Sequence, residues 1–499
     1  MMQTARRYGA VLGAVLAFAG AAGAEPVAGD PVLTTSGLPG RRLAIDTPVP
    51  TERAAPRAQV SRTLYLERCI GGCALTLGDN DARAGSSMLL LVKTATVTEF
   101  AAKGGATGAA ADAEWGQIVQ CMKEVYSPYD VDVTDVKPGA GASYHEAIIA
   151  GHPEEVGRTS DILGVAPLAG DCRAIDNVIS MTFANAHGAQ TVAGRVLNIC
   201  WTAAQESAHA YGLDHEYAFL VGKRSACSDP MTYRTDCGGQ KFFRNEPATC
   251  GENTQRQCRC GASQNSHAKL LDVFGPGTPI TRAPTITMTL PNSDSASLDT
   301  DVLAKAGAQR GIARVELRVN GNTWGAAPGA AFLVGGQPDP STYSIAVPLA
   351  LPDGVVDVQT VAFDDLGVST ASDVITLTKG APCTSAASCA GDQRCEAGKC
   401  LWDAPAGELG ASCAYPQFCK SGVCDGAAGE QICTQRCVPG VDGSCPGTFE
   451  CVQTTEDDGV CVVPATTAGC CRVDRGEPGW WQLGIGALVL AFAIRKRRR

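Results

Sequence analysis

The placing of the cysteines constrains this chain more than any other feature. Twenty-four occur in 499 residues: ten between Cys69 and Cys260, none from 261 to 382, twelve between Cys383 and Cys461, and a last pair at Cys470 and Cys471. So many thiols suit an oxidising compartment, where they close disulfides, and the cysteine-free gaps mark domain boundaries. A chain of this length divides into several cores. With 45% hydrophobic and 18% charged residues it reads as globular. Its net charge of −10 leaves no basic face for nucleic acid, and none is expected as a partner.

The two ends point to export. Arg6 and Arg7 precede an apolar run over 11–19, and Ala22-Gly23-Ala24 stands before Glu25-Pro26. Residues 1–24 are therefore expected to be a signal peptide cut after Ala24. Residues 25–61 are rich in Pro, Ala, Gly and Thr, lack apolar periodicity and contain no Cys. They read as a linker or short pro-segment. At the other end an apolar run over 479–494 lies between Trp480-Trp481 and the basic residues 495–499. As a helix it is about 24 Å long, a little short of the ~30 Å hydrocarbon layer. The positive-inside rule leaves its tail cytoplasmic and the body outside.

Between these ends the pattern changes three times. Residues 62–275 mix strand and helix signals: strands at 62–67, 129–136, 145–150, 161–167 and 177–183, an amphipathic helix over 111–126, and a second helix over about 196–211. Cys69 and Cys73 flank a Gly-Gly turn that suits a local disulfide. Residues 281–380 hold short β-rich runs separated by turns such as Asn320-Gly321, the pattern of a β-sandwich. Residues 383–461 fall into three four-Cys units: Cys383/389/395/400, Cys413/419/424/433 and Cys437/445/451/461. With neither His nor paired C-x-x-C, they read as disulfide modules of undetermined connectivity.

Chemistry concentrates at residues 205–215, Gln-Glu-Ser-Ala-His-Ala-Tyr-Gly-Leu-Asp-His. On a helix, Gln205 and His209 are one turn apart on one face and reach one ion together. Glu206 is offset around the helix, where it can polarise a water. Gly212 suits the left-handed position that ends a helix, after which the chain can return His215 to the same ion. A catalytic zinc site needs three protein ligands and one open position, and His209 and His215 supply two imidazoles. The amide oxygen of Gln205 is a weaker donor than imidazole. Three arrangements fit: Gln205 ligates weakly; His145, His152, His187 or His267 folds in as third ligand; or the site is a metal-poor relic. Asp79-Asn80-Asp81 is a weak calcium candidate. Cys258-x-Cys260 reads as disulfide-bonded neighbours rather than a metal clip. No G-x-S-x-G or P-loop occurs.

The 205–215 segment resembles H-E-x-x-H-x-x-G-x-x-H of the metzincin zinc peptidases, with Gln205 where the first His belongs. Downstream, Ser228-Asp229-Pro230-Met231-Thr232-Tyr233 resembles the metzincin Met-turn. The resemblance implies an α+β domain over 62–275, with a mixed sheet supporting the active-site helix, one catalytic Zn2+ on His209, His215 and Gln205, and Met231 beneath the metal. It implies Glu206 as general base, Tyr233 as oxyanion or metal partner, and a protein or peptide substrate hydrolysed by a metal-activated water. The lack of Cys before residue 62 removes the cysteine-switch form of latency known in some metzincins. The rival reading is a catalytically impaired metzincin-like shell serving adhesion or scaffolding. Residues 281–380 resemble bacterial immunoglobulin-like modules without their disulfide. Residues 469–499, Gly-Cys-Cys followed by a short apolar helix and an Arg cluster, resemble the MYXO-CTERM sorting segment of exported myxobacterial proteins. That resemblance implies retention at the cell surface or outer envelope, with cleavage and lipid attachment near the cysteines or a plain membrane anchor as alternatives.

Overall fold

The computed structural model describes residues 33–37, 39–47 and 60–463, less the stretches 221–225, 236, 238, 281, 290–301, 330–340, 346–353, 380, 390–392, 404, 414–415, 427–429, 438–443 and 454–458. The expected signal peptide over 1–24 and the expected sorting segment over 469–499 lie outside the described residues. Among those described, no helix is long and apolar enough to cross a membrane. The chain is β-rich and built of several sheets, with few helices and a disulfide-rich C-terminal region.

The first unit carries β1 (Leu33–Thr34), β2 (Arg41–Thr47), β3 (Thr63–Glu67), β4 (Cys73–Leu77), β5 (Ser86–Ser87), β6 (Thr94–Val97), α1 (Ala109–Tyr126), β7 (Asp132–Thr134), β8 (His145–Ile149), β9 (Ile162–Ala169), β10 (Ile179–Thr182), β11 (His187–Gly188) and α2 (Val192–Ala210). It closes with β12 (Glu216–Phe219), β13 (Ala248–Cys250) and α3 (Ser266–Phe274). The main sheet has the order β2-β9-β10-β8-β3-β7. All its neighbours are parallel except β9 and β10, so β2 and β9 run against the other four. β8, β9 and β10 are buried at every residue; β9 accordingly reads as a continuous apolar run, whereas β8 and β10 also bury His145, Glu146, Ser180 and Thr182.

Helices α1 and α2 pack on this sheet around one core that includes Trp115, Ile118, Met122, Ile199 and Trp201. Cys121–Cys200 staples α1 to α2, Cys172–Cys260 ties the loop after β9 to the segment before α3, and Cys69–Cys73 closes the expected local loop. Cys258 pairs with Cys250 rather than with its neighbour Cys260.

One element departs from the sequence pattern. Residues 25–61 show no apolar period, yet Arg41–Thr47 forms the edge strand β2. An edge strand pairs through its backbone, and β2 is half-exposed along most of its length, so no hydrophobic alternation is needed to specify it. The strand expected over 129–136 shrinks to three residues because Tyr129 turns inward, where its hydroxyl bonds His267 Nδ1 at 2.9 Å.

Beyond residue 281 a sandwich follows. β14 (Thr285–Thr289), β15 (Val302–Gly307) and β18 (Ser341–Ile345) make one sheet, in the order β14-β15-β18. The other comprises β16 (Arg314–Val319), β17 (Asn322–Pro328), β19 (Gly354–Phe363), β20 (Ser369–Ala371) and β21 (Ile375–Lys379). Val315, Leu317, Val319, Val358 and Ile345 fill the space between them. Arg244 of the first unit and Arg310 of the sandwich share Asp365, at 3.0 Å and 2.6 Å, with all three side chains buried. The three cysteine units then close alike, first to third and second to fourth: 383–395 and 389–400, 413–424 and 419–433, 437–451 and 445–461.

Candidate metal centre

Helix α2 positions the centre. Thr191 caps its start by accepting from the Gly194 N–H at 3.0 Å. Nearly every side chain along it is buried, as expected of a helix that runs through a core rather than over it. Its end is a Schellman turn: Leu213 N–H reaches the Ala208 carbonyl at 3.2 Å, and Gly212 N–H the His209 carbonyl at 2.9 Å. Gly212 takes φ +89°, and a Cβ there would run into the Cys172 backbone, so glycine is required twice over.

That turn also orients the first imidazole. The Leu213 carbonyl sits 2.7 Å from His209 Nδ1, and the Glu252 carboxylate 2.8 Å from His215 Nδ1. Both partners are acceptors, so both Nδ1 atoms carry protons and both Nε2 atoms present lone pairs. These two Nε2 atoms face each other at 3.0 Å. Burial pushes His209 down to about 3, helped by His215. Burial also lowers His215, outweighing the pull of Glu252 toward the charged form. Neutral rings therefore meet lone pair to lone pair, an arrangement that a cation between them relieves. Two nitrogens on one tetrahedral zinc stand about 3.3 Å apart, close to what is seen. The donor set suits zinc.

The loop carrying His215 is held by a clamp. Arg256 grips Asp214 at 2.6 and 2.7 Å and Glu252 at 2.7 Å, while Asp214 accepts the His215 N–H at 2.8 Å. His215 and Arg256 together hold the Glu252 carboxyl well below the usual range. Carboxylates behind ligating histidines fix ring orientation in this way. Glu252 and Arg256 were not singled out from the sequence. They lie far along the chain from His215 and belong to no motif.

Gln205 is fully buried, and its Nε2 donates to the Met231 carbonyl at 3.1 Å. That contact sets the amide orientation and leaves Oε1 without a protein partner. Glu206 is also fully buried, with neither carboxylate oxygen hydrogen-bonded. Burial raises its pKa well above the ordinary value, against the opposing pull of Arg42 and Arg158. It packs over Gly164 of β9, where a Cβ would collide with it. Met231 is buried in the core. Its turn is set by Asp229, which accepts the Met231 N–H at 2.8 Å and the Arg244 N–H at 2.7 Å.

Tyr233 stands apart from its expected role. Its ring lies 4.9 Å from His215, but its hydroxyl accepts the Arg42 N–H at 2.9 Å and donates to the Arg42 carbonyl. The Arg42 guanidinium covers the ring at 4.5 Å. The hydroxyl is therefore engaged by β2 rather than directed at an ion.

The histidines offered as third ligands are held elsewhere. His145 Nε2 bonds Ser180 at 2.9 Å, His187 spans the Phe183 carbonyl and the Thr202 hydroxyl, and His267 meets Tyr129. His152 is exposed beside a cleft of ≈ 700 Å³ that also borders His187 and Arg195. Arg195 precedes His209 by fourteen residues on α2, about 21 Å along the axis. The chain has six histidines, so no third imidazole joins the pair. Of the calcium candidates, Asp81 holds Arg83 through both carboxylate oxygens at 2.9 Å. The cysteine groups spaced for metal are disulfides.

Burial of His145 has a testable consequence. Its folded pKa is pushed down to about 3, so between roughly pH 6.5 and 3 the unfolded chain binds the extra proton and stability falls with falling pH. The His145→Gln variant should lose less melting temperature than wild type between pH 7 and pH 4. Parallel losses in the two proteins would contradict this.

No protein-family model matches the chain, and no curated protein matches it. Among solved structures, 19% of the chain overlays 96% of a chain from Clostridium thermocellum CbhA fibronectin(III)-like modules, at 20% identity and a TM-score of 0.14. That overlay is too loose to carry an argument.

Proposed function

We propose that this chain is a surface-associated, zinc-dependent endopeptidase of metzincin type. One observation carries the reading: the His209 and His215 Nε2 lone pairs converge at 3.0 Å, with both side chains buried. A bound proton is a poor alternative as the cation, since burial keeps both rings neutral near pH 7. His209, His215 and, as a weaker donor, Gln205 would hold the zinc, which supplies Lewis-acid activation of water.

The chain's own residues divide the remaining work. Glu206, buried and without a hydrogen-bond partner, takes a proton from the attacking water and returns it to the leaving nitrogen. Glu252 and Leu213 keep each Nδ1 protonated and each Nε2 free to ligate. Tyr233, once its hydroxyl is free, donates to the developing oxyanion. The sandwich and cysteine units would hold this domain away from the envelope, to which the C-terminal segment returns the chain.

Elemental analysis of the full, exported, disulfide-intact chain should find about one zinc per molecule. A chelator should abolish cleavage of an unfolded protein substrate, and added zinc should restore it. Absence of zinc after incubation with the ion at neutral pH would sink the peptidase reading in favour of adhesion or scaffolding.

A further inference from the structure

We propose that Asp365, carried by the sandwich, is a positioning residue for the metal centre, so that the sandwich completes the site as well as displaying it. The proposal rests on the peptidase reading above and names a part of that site outside residues 62–275. In sequence, Asp364-Asp365-Leu366-Gly367 reads as an ordinary turn between strands. In the fold it joins β19 to β20 and is pinned, because Asp364 Oδ1 accepts the Leu366 and Val368 N–H groups at 2.9 Å each. The next carboxylate, that of Asp365, reaches into the first unit.

From Asp365 an unbroken series of hydrogen bonds runs to Gln205. Asp365 Oδ2 accepts from Arg244 Nη1 at 3.0 Å, while Arg310 holds the same carboxylate through both oxygens at 2.6 and 2.8 Å. Arg244 in turn grips the Met231 turn twice. Its Nε donates to the Ser228 carbonyl at 3.3 Å, and its backbone N–H to Asp229 Oδ2 at 2.7 Å. Asp229 Oδ1 accepts the Met231 N–H at 2.8 Å, and the Met231 carbonyl accepts Gln205 Nε2 at 3.1 Å. That last bond holds the Gln205 amide with Oε1 unpartnered, and Oε1 is the atom offered as the weak third donor.

The chemistry of this contact exceeds what a spacer needs. A domain held only for reach requires no buried charge, yet the Arg310, Arg244 and Asp365 side chains are 1%, 3% and 7% exposed. Taking three charges out of water is costly unless they pair closely. Both guanidinium groups also lie over the Phe242 ring, Arg310 at 4.4 Å and Arg244 at 5.6 Å. The Phe242 N–H donates to the Ser228 carbonyl at 3.1 Å, so the residues that seat the sandwich are those that frame the Met231 turn. Without the Asp365 carboxylate, two guanidinium groups stay buried close together. Their repulsion then falls on Arg244, whose backbone sets that turn.

The test measures zinc affinity of the full, disulfide-intact chain by titration of the chelated protein, with thermal melting alongside. Asp365→Asn keeps the shape of the side chain and removes its charge, and it should weaken zinc binding about tenfold. Gln205→Ala should weaken it too. Adding Asp365→Asn to Gln205→Ala should then cost nothing further, because the route to the metal ends at Gln205. A loss that merely followed lower stability would appear equally with and without Gln205. Gln309→Ala removes a different contact between the two units, the bond from Gln309 Nε2 to Glu124 at 2.7 Å, and should leave zinc affinity unchanged. Where Asp365→Asn does not fold, Asp365→Glu keeps the charge but moves the carboxylate by one methylene, and the same comparison is made with it. Wild-type zinc affinity in a folded Asp365 variant, or an equal loss on the Gln205→Ala background, overturns the positioning role and leaves the peptidase reading standing. A wild-type chain that binds no zinc removes the peptidase reading and the positioning role with it.

Discussion

Replacing Glu206 by Gln should lower peptide hydrolysis by about 10²–10⁴-fold, the usual worth of a positioned acid–base group, while zinc stoichiometry stays unchanged. The amide keeps the shape of the side chain but cannot take the proton of the attacking water. The same change should raise the melting temperature of the chelated protein at pH 8. Burial lifts the folded pKa of Glu206 well above its ordinary value, so the folded state holds a proton that the unfolded state releases above about pH 4.5. Stability is then lost as pH rises through that window, and a neutral Gln removes the loss. Activity and stability moving in opposite directions is the expected signature. A variant with full activity would remove Glu206 from the mechanism, and a lower melting temperature would show that its carboxyl has a partner in solution.

Gln205→His should tighten zinc binding by at least about tenfold, on the order of 1.4 kcal/mol. Residue 205 sits one helical turn before His209 on the same face, and an imidazole there completes a three-nitrogen set. The structural cost is small. Gln205 gives up its bond to the Met231 carbonyl, but that carbonyl still accepts the Glu216 N–H at 2.9 Å. Since no other histidine approaches the pair, the new ring has no imidazole to displace, and hydrolysis should hold or rise. Isothermal titration of the chelated wild type and variant measures the difference. Unchanged affinity would mean that residue 205 does not reach the metal.

The residues nearest one another in sequence were the ones whose geometry could be read in advance. Helical spacing puts 205 and 209 on one face, and glycine at 212 allows the turn that brings His215 round. Those are local constraints of backbone sterics, and φ +89° at Gly212 with the Schellman bonds follows from them. The Cys69–Cys73 bridge was legible for the same reason, because a four-residue loop leaves little choice of partner, whereas the pairing within the later four-cysteine units was not.

Three other matters were decided only when distant segments met. Glu252 reaches His215 because Cys250–Cys258 and the Arg256 clamp fold its loop back on the centre, and no spacing rule links 252 to 215. The absence of a third imidazole follows from burial, since His145, His187 and His267 each find a polar partner in the core before they could find an ion. Above all, a segment without apolar pattern became a strand because β9 had an edge to fill. Backbone pairing is indifferent to side-chain periodicity, so the sequence alone could name residues 39–47 only as a linker or pro-segment. The tertiary structure set Arg42 on Tyr233, through backbone hydrogen bonds and a buried guanidinium over the ring.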